Sequence, residues 1–279
     1  MPWIALQIEP AAACAAPLTP DFVAAVPHAQ EIVLPAAQHA WARSASWLPE
    51  LLASYRKIVA QRLPDVPPPA SLADLPIVET HAAGGNDLFA VFLSGDGGWA
   101  GIDKNVAAAL VARGISVAGV DSLRYFWSAR TPQGLATDLD RILRYYAFHW
   151  KKKRALLIGY SQGADVLPFA LNRLPVATRR RVVLAALLGP DQSADFEFHL
   201  SSWVLNGDSG LPVKPEVDRL GVAAALCIYG DDDAESLCPR LQPGRVVIVK
   251  LAGGHHFNGD YDAVAQVVVE AAAGHARSN

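Results

Sequence analysis

The sequence predicts an α/β domain whose mostly parallel sheet is covered by helices on both faces, preceded by an N-terminal extension. From residue 77 onward, short apolar runs alternate with segments of helical periodicity, which is the pattern of a doubly wound sheet. Hydrophobic residues make up 52% of the 279-residue chain and charged residues only 18%, so a large core can be buried. The domain is predicted to span residues 77–279.

Six strands and four helices are predicted in this domain. Apolar runs indicate the strands, and the first helix is followed by Gly114, a common helix stop. The predicted strands are Phe89–Leu93, Ile115–Val120, Ala155–Ile158, Val182–Leu188, Ala223–Tyr229 and Val246–Leu251. The predicted helices are Lys104–Arg113, Gln133–Trp150, Gln162–Leu174 and Tyr261–Ala273.

Residues 1–76 differ in composition from the domain. They are rich in Ala and Pro, carry one helical pattern at Trp47–Leu63, and end in a Pro cluster that indicates a stiff linker. We expect a packing extension or the remnant of a preceding domain. Glu9 interrupts the first apolar stretch and no basic residue precedes it, so no convincing signal peptide is present. No apolar run is long enough to predict a transmembrane helix.

The net charge argues against one class of partner. A net charge of −3 and a pI of about 6.2 give no basic surface for a nucleic-acid backbone, so no nucleic-acid partner is expected. No spacing of histidines and cysteines resembles a zinc site, so no metal is expected. No cofactor is expected either.

One motif carries the chemistry. Gly159–Gly163 reads GYSQG, matches the G-x-S-x-G pattern, and lies between a predicted strand and a predicted helix. This is the setting of a nucleophile elbow, in which a tight turn exposes a serine hydroxyl at the end of a strand. Ser161 is therefore predicted to be a catalytic nucleophile.

An activated serine needs a base, and the base needs an acid that orients it. His255 and His256 directly follow the last predicted strand, where this arrangement carries its base. His255 is the first choice and His256 the alternative. The acid is expected after the penultimate strand, where Asp233 is the first candidate, Asp232 the second and Glu235 the third.

Two backbone amides are needed to hold the oxyanion of an acyl-transfer reaction. Gln162, directly after the serine, is predicted to supply one. The glycine-rich segment Ser94–Trp99 is predicted to supply the other, with Asp96 preferred and Gly97 next, because glycines let the backbone approach a ligand. The alternative of a phosphate cradle is disfavoured, since the segment lacks the Lys-Ser/Thr ending of a P-loop.

Acidic residues follow the predicted strands, whereas basic runs precede them. In a parallel sheet the residues after the strands gather on one edge, so the active face is expected to have a negative field that favours a cationic substrate group. Arg124 and Arg130 would offset it in part. The alternative is that the acids serve only loop solubility. The acids concerned are Asp96, Asp121, Asp191 and Asp231–Asp233.

Four aromatic residues lie on loops after the first two predicted strands of the domain. Trp99, Tyr125, Phe126 and Trp127 are predicted to form an apolar wall beside the serine, suited to an acyl or lipid group. Packing under the loops is the alternative.

The chain has three cysteines, Cys14, Cys227 and Cys238, and so few are usual in a reducing compartment. Cys227 falls in a predicted strand and Cys238 in the loop that follows. A bridge between them would close a short loop and contribute roughly 2–3 kcal/mol, but only in an oxidising compartment.

Four separated segments, in order over residues 70–275, together resemble the VirJ/AcvB family of bacterial virulence proteins. They are Leu93–Trp99, Asp121–Trp127, Gly159–Asp165 and Gly253–Phe257. Ala194–Glu197, which contains Asp195, and Cys227–Gly230 also resemble the family.

The resemblance implies an α/β-hydrolase fold, a periplasmic location, and hydrolysis of the aminoacyl ester of aminoacyl-phosphatidylglycerol, a lipid carrying lysine or alanine. Its partners would be that lipid, transiently the membrane surface, and components of type IV secretion. A periplasmic location also favours the Cys227–Cys238 bridge. Longer family members carry an additional N-terminal domain, of which residues 1–76 would be the remainder.

We thus predict a serine esterase. Its predicted substrate contacts are Asp121, Asp195 and the four loop aromatics. The alternatives are a non-catalytic periplasmic adaptor of a secretion system, and a general lipase or thioesterase.

Overall fold

A computed structural model describes residues 3–8, 20–26, 29–34, 51–54, 67–85, 87–197, 210–222 and 224–276. The chain divides into two compact units, Met1–Val66 and Pro67–Asn279. Of the predicted helix Trp47–Leu63, residues 51–54 are described and helical; the remainder lies outside the described residues, as does Cys14.

The first unit contains a small β-α-β element that the sequence did not predict. Strand β1 (Trp3–Ile8) is followed by helix α1 (Pro20–Ala25) and strand β2 (Ala29–Leu34). The two strands pair in parallel, with Trp3 opposite Ala29 and Ile8 opposite Leu34.

The second unit is built on a seven-stranded sheet. Its strand order is β11-β10-β7-β6-β4-β5-β3, and every pair is parallel except β3 with β5. The strands are β3 (Ile77–Thr80), β4 (Leu88–Leu93), β5 (Ser116–Val120), β6 (Arg154–Tyr160), β7 (Val182–Leu188), β10 (Ala225–Gly230) and β11 (Val247–Leu251). A separate antiparallel pair is formed by β8 (Ser193–Ala194) and β9 (Leu211–Pro212).

Helices cover both faces of this sheet, as predicted. They are α2 (Gly101–Ala112), α3 (Ser122–Tyr125), α4 (Pro132–His149), α5 (Gln162–Arg173), α6 (Val176–Arg179), α7 (Lys214–Val217) and α8 (Tyr261–Ala276). Single 3-10 turns occur at Cys238–Arg240 and Phe257–Gly259. Every strand and helix predicted in the domain is present, with its ends displaced by at most three residues.

Strand β4 shows how the two faces are buried. Successive side chains of a strand point to opposite faces, and here Phe89, Val91 and Leu93 enter one core while Leu88, Ala90 and Phe92 enter the other. Helices α4 and α5 contribute to the first core, and α2 and α8 to the second. A strand buried on both sides needs a continuous apolar run rather than an alternating one, which is what its sequence LFAVFL provides.

Residues 67–76 belong to the second unit. Leu72 and Leu75 are buried in its first core, and Arg141 forms an ion pair of 2.7 Å with Asp74. Strand β3 follows directly and pairs with β5 at the sheet edge.

Cys227 and Cys238 are joined by a disulfide. The bridge connects strand β10 to the 3-10 turn that follows it. Among the described residues, no helix has the length and apolarity needed to cross a bilayer.

Candidate active site

Ser161 stands at the junction between β6 and α5, the turn that the G-x-S-x-G motif predicts. Its backbone has φ 51° and ψ −123°, a conformation that residues other than glycine rarely adopt. Its N–H donates a hydrogen bond of 2.9 Å to the carbonyl of Leu188 at the end of β7. Strain of this kind is typical of functional positions that the surrounding structure holds in place.

Gly163 shows why the motif needs a glycine after the serine. A Cβ on Gly163 would lie 2.2 Å from the carbonyl oxygen of Leu93, well inside van der Waals contact. The first turn of α5 therefore packs directly on the backbone at the end of β4. This contact brings Ser161 beside the loop that follows β4.

His255 and Asp233 form a hydrogen-bonded pair. The Nδ1 atom of His255 lies 2.8 Å from Oδ2 of Asp233, and the two residues follow the neighbouring parallel strands β11 and β10. The Asp233 side chain is 8% exposed and that of His255 is 38% exposed. When the proton of the neutral imidazole is on Nδ1 and is donated to Asp233, Nε2 of His255 carries the lone pair and is the basic nitrogen.

The alternative candidates have other contacts. Nδ1 of His256 lies 2.9 Å from the hydroxyl of Tyr160. Asp232 and Glu235, the second and third candidates for the acid, are both exposed, and the neighbouring Asp231 accepts a hydrogen bond from the Gly253 amide. Among these alternatives, neither His256 nor Asp232 takes part in an acid–imidazole pair.

Ser161, His255 and Asp233 all line one open cavity of about 270 Å³. Gly189, which follows β7, also lines it and lies beneath the imidazole: a Cβ there would be 3.0 Å from Cε1 of His255. Any larger residue at position 189 would displace the His255 ring. The end of β7 thus leaves space for the base.

The two predicted oxyanion donors lie beside the serine. Asp96 and Gln162 line the cavity, whereas Gly97 does not. Gln162 is the first residue of α5, so its N–H has no helical carbonyl partner. A Cβ on Gly95 would lie 3.5 Å from that of Ser161, so the Asp96 loop borders the elbow.

The cavity lining is strongly acidic. It includes no lysine or arginine among the described residues, and it contains seven carboxylates, those of Asp96, Asp165, Asp191, Asp195, Glu197, Asp233 and Glu235. Arg124 and Arg130, expected to offset this charge, do not border the cavity. Arg130 instead stacks over Tyr125, 4.6 Å from the ring centre.

Asp165 is the most buried of these acids. It lies one turn into α5, and its Oδ1 accepts a hydrogen bond of 2.7 Å from the Asp191 amide. Burial raises its pKa well above the ordinary value, and the nearby charges of Asp191, Asp195 and Asp96 raise it further. A cation in the cavity would favour the ionised form of Asp165.

The predicted apolar wall is wrong. Trp99, Tyr125 and Phe126 are 9%, 1% and 1% exposed and belong to the two cores. Trp127 is 66% exposed and does not line the cavity. The loops turn their aromatic rings inward, where Trp99 covers the backbone of Gly119, because burial removes large apolar surfaces from water.

The prediction of Asp121 as a substrate contact is also wrong. Asp121 is the N-cap of α3, and its Oδ1 accepts a hydrogen bond of 3.1 Å from the Arg124 amide. It does not line the cavity. Asp195 does line it, and the carbonyl of Asp195 accepts a hydrogen bond from Nε2 of Gln162.

Several lining residues were not singled out as site residues from the sequence, among them Asp165, Gly189, Ser193 and Glu197. Asp165 had a usable signal, an acid inside the otherwise apolar start of a buried helix. Glu197 falls in the segment Ala194–Glu197 that resembles the family, whereas Gly189 and Ser193, which follow β7, carry no sequence signal of their own. Among the described residues, no group of three or more His, Cys, Asp or Glu side chains is arranged to hold a metal ion.

Comparison with solved structures identifies the fold as that of the α/β-hydrolases. The chain is similar to Est1E from Butyrivibrio proteoclasticus, solved with ferulic acid bound, at 14% identity and a TM-score of 0.52 over 70% of this chain and 93% of that one. It is similar to MenH from S. aureus at 13% identity and a TM-score of 0.52, over 71% and 98% of the two chains. These likenesses concern the fold alone.

Comparison of sequences gives a more specific result. Residues 87–276 match the protein-family model described as "Bacterial virulence protein (VirJ)". A search of curated proteins found no match.

Proposed function

The chain belongs to the VirJ family of bacterial virulence proteins, and from that premise we propose that it is a serine hydrolase that cleaves a carboxylic ester. One observation carries the proposal. A serine in a strained elbow shares a cavity with an imidazole whose far nitrogen is held by a buried carboxylate. These are the three parts that an activated serine requires.

The proposed reaction follows from these positions. Oγ of Ser161 attacks the ester carbonyl while its proton passes to Nε2 of His255, and Asp233 stabilises the imidazolium. The amides of Asp96 and Gln162 hold the oxyanion. Collapse releases the alcohol, which takes the proton from His255, and leaves the acyl group on Ser161. Water activated by His255 then hydrolyses this acyl-enzyme and regenerates the serine.

We propose that the acyl group carries a positive charge. Seven Asp and Glu side chains line the cavity, and His255 is the only basic side chain among its described lining residues. A cationic group lowers the mutual repulsion of these acids, whereas a fatty acyl chain would place apolar surface against them. The cavity therefore supports an aminoacyl ester over the substrate of a general lipase.

The substrate that we propose is aminoacyl-phosphatidylglycerol, with a lysyl or alanyl group. Its ammonium would enter the acidic cavity, and its lipid body would remain in the membrane, so that the protein contacts the membrane surface transiently. A periplasmic site of action and an association with secretion-system components complete the proposal. The family's description as bacterial virulence proteins supports an exported protein.

Labelling with a fluorophosphonate tests the catalytic part, because this probe reacts only with an activated serine. We expect stoichiometric labelling of the wild-type protein and no labelling of Ser161→Ala. Ser193→Ala, which removes the hydroxyl of another serine that lines the cavity, is the matched control and should be labelled like the wild type. Wild-type protein that resists the probe would contradict the hydrolase and favour a non-catalytic adaptor.

Lipid analysis tests the substrate. Purified protein is incubated with vesicles containing lysyl- or alanyl-phosphatidylglycerol, and in parallel with plain phosphatidylglycerol and a neutral short-chain ester. Release of the amino acid with formation of phosphatidylglycerol is the expected result. Turnover of the neutral ester alone would contradict the substrate assignment while leaving the serine hydrolase intact.

A further inference from the structure

Tyr160 connects three segments of the candidate active site. It directly precedes Ser161 at the end of β6, and it is 4% exposed. Its ring lies 3.2 Å from the position that a Cβ on Gly95 would occupy, so it packs against the loop of the proposed oxyanion donor Asp96. Its ring centre is also 5.3 Å from that of His255.

The hydroxyl of Tyr160 points to the residue next to the proposed base. It lies 2.9 Å from Nδ1 of His256, which accepts a hydrogen bond from it when the imidazole carries its proton on Nε2. The same hydroxyl is 3.4 Å from the carbonyl of His255. Burial raises the pKa of the Tyr160 hydroxyl above its ordinary value, so it remains protonated as a donor.

We propose that Tyr160 and His256 are a positioning pair that sets the distance between Ser161 and His255. The residue before the nucleophile is hydrogen bonded to the residue after the base, so one bond connects the two turns that must meet in the reaction. The proposal rests on the proposed function, since only a nucleophile and a base need this spacing.

The pair lies outside the cavity, so its proposed role is to position His255 and not to contact the substrate. Neither Tyr160 nor His256 lines the cavity, so neither is placed to touch the reacting atoms. The turn that carries His255 is also held by hydrogen bonds from the Gly253 amide to Asp231 and from the Phe257 amide to the carbonyl of Gly254, and the Tyr160 hydroxyl adds its link to the end of β6. Phe257 and Asn258, which follow it, have φ values of 51° and 50°, and such residues hold their conformation only when their surroundings impose it.

The test is the steady-state turnover of Tyr160→Phe, which keeps the ring and removes the hydroxyl. We expect kcat to fall by roughly 10- to 100-fold with little change in KM, because a misplaced base affects the reaction step more than binding. Tyr146→Phe is the matched control. Tyr146 is also buried, and its hydroxyl donates a hydrogen bond of 2.7 Å to Glu79. Neither residue lines the cavity. This control should lose stability but keep its kcat.

The partner side is tested with two variants of His256. Asn offers an acceptor near the position of Nδ1, so His256→Asn should retain most of the turnover, whereas His256→Ala should resemble Tyr160→Phe. The double variant Tyr160→Phe/His256→Ala should be no slower than either single one, since both remove the same bond.

The outcomes separate this proposal from the proposed function. If the wild-type protein neither labels with a fluorophosphonate nor hydrolyses esters, the proposed function fails. If the wild type is active and Tyr160→Phe keeps its kcat within about twofold, or if the two single effects multiply in the double variant, the positioning pair is overturned and the hydrolase stands.

Discussion

Asp233 and His255 meet at 2.8 Å although 22 positions separate them in the chain. They do so because β10 and β11 are neighbouring parallel strands, so the turns at their carboxyl ends lie side by side. Asp233 is largely buried while His255 remains partly open to the cavity. The carboxylate can therefore hold the imidazole without competing for its outer nitrogen.

The first prediction concerns this pair. Asp233→Asn removes the charge that fixes the tautomer of His255, so kcat for ester hydrolysis should fall by about 10³- to 10⁴-fold. Asp232→Asn is the matched control, because Asp232 is the exposed neighbour; it should stay within about twofold, as expected for a surface substitution. Equal losses in the two variants, measured by initial rates, would be incompatible with the pairing seen here.

The second prediction concerns the backbone of Ser161. At φ 51° and ψ −123° a glycine has no Cβ to strain, so Ser161→Gly should be more stable than Ser161→Ala by about 1 kcal/mol. Both variants lack the hydroxyl and should be inactive. Urea unfolding of the two proteins gives the difference directly, and a Gly variant that unfolds at lower urea would argue against strain at the elbow.

The third prediction concerns pH and stability. Asp103 lies in the first turn of α2 and is 3% exposed, with Oδ1 unpaired within the described chain. Burial raises the pKa of Asp103 to about 7, although hydrogen bonds from the backbone amides of Ala100 and Gly95 act to lower it. The native state therefore keeps a proton that the unfolded chain releases near pH 4, and stability falls from about pH 4 to 7 by up to roughly 1.4 kcal/mol per pH unit.

The variant Asp103→Asn should remove this part of the pH dependence. The free energy of unfolding, measured in urea at several pH values between 4 and 8, should decline less steeply than in the wild type. Asp262→Asn is the control: Arg113 lowers the pKa of this exposed acid, so its contribution to stability is constant above about pH 5, where the wild-type curve still declines. Wild-type and Asp103→Asn curves that run parallel would count against a proton on Asp103.

The fourth prediction concerns the acidic cavity. Asp195 and Glu235 are exposed lining residues, so Asp195→Asn/Glu235→Gln should raise KM for a lysyl ester by about fivefold and leave a neutral ester unaffected. The double variant Asp262→Asn/Glu270→Gln, with the same net charge but on the surface of α8, serves as the control. An equal rise in KM for both esters would indicate altered shape rather than charge.

Most of the sheet could be predicted from the sequence, because strands that are buried on both faces consist of continuous apolar runs. Strand β7, Val182–Leu188, has the predicted limits. Strand β3 could not be predicted, since Ile77–Thr80 is only four residues long and follows a Pro-rich stretch. Its pairing with β5 depends on a sheet edge that local sequence does not encode.

The candidate site was predictable where chain position fixes geometry. Ser161, Asp233 and His255 lie in the turns after three parallel strands of one sheet, so topology brings them to the same edge. Asp121 and Tyr125 also follow a strand of this sheet, but the side chain of Asp121 caps a helix and that of Tyr125 is buried in the core. Which way a loop side chain faces depends on tertiary packing, and the motif alone does not contain that information.

The Cys227–Cys238 bridge encloses the turn that carries Asp233. The bridge therefore fixes the segment whose carboxylate is hydrogen bonded to His255, and both cysteines are fully buried. Under reducing conditions this turn loses its covalent closure, and the contact between Asp233 and His255 then depends on non-covalent packing alone.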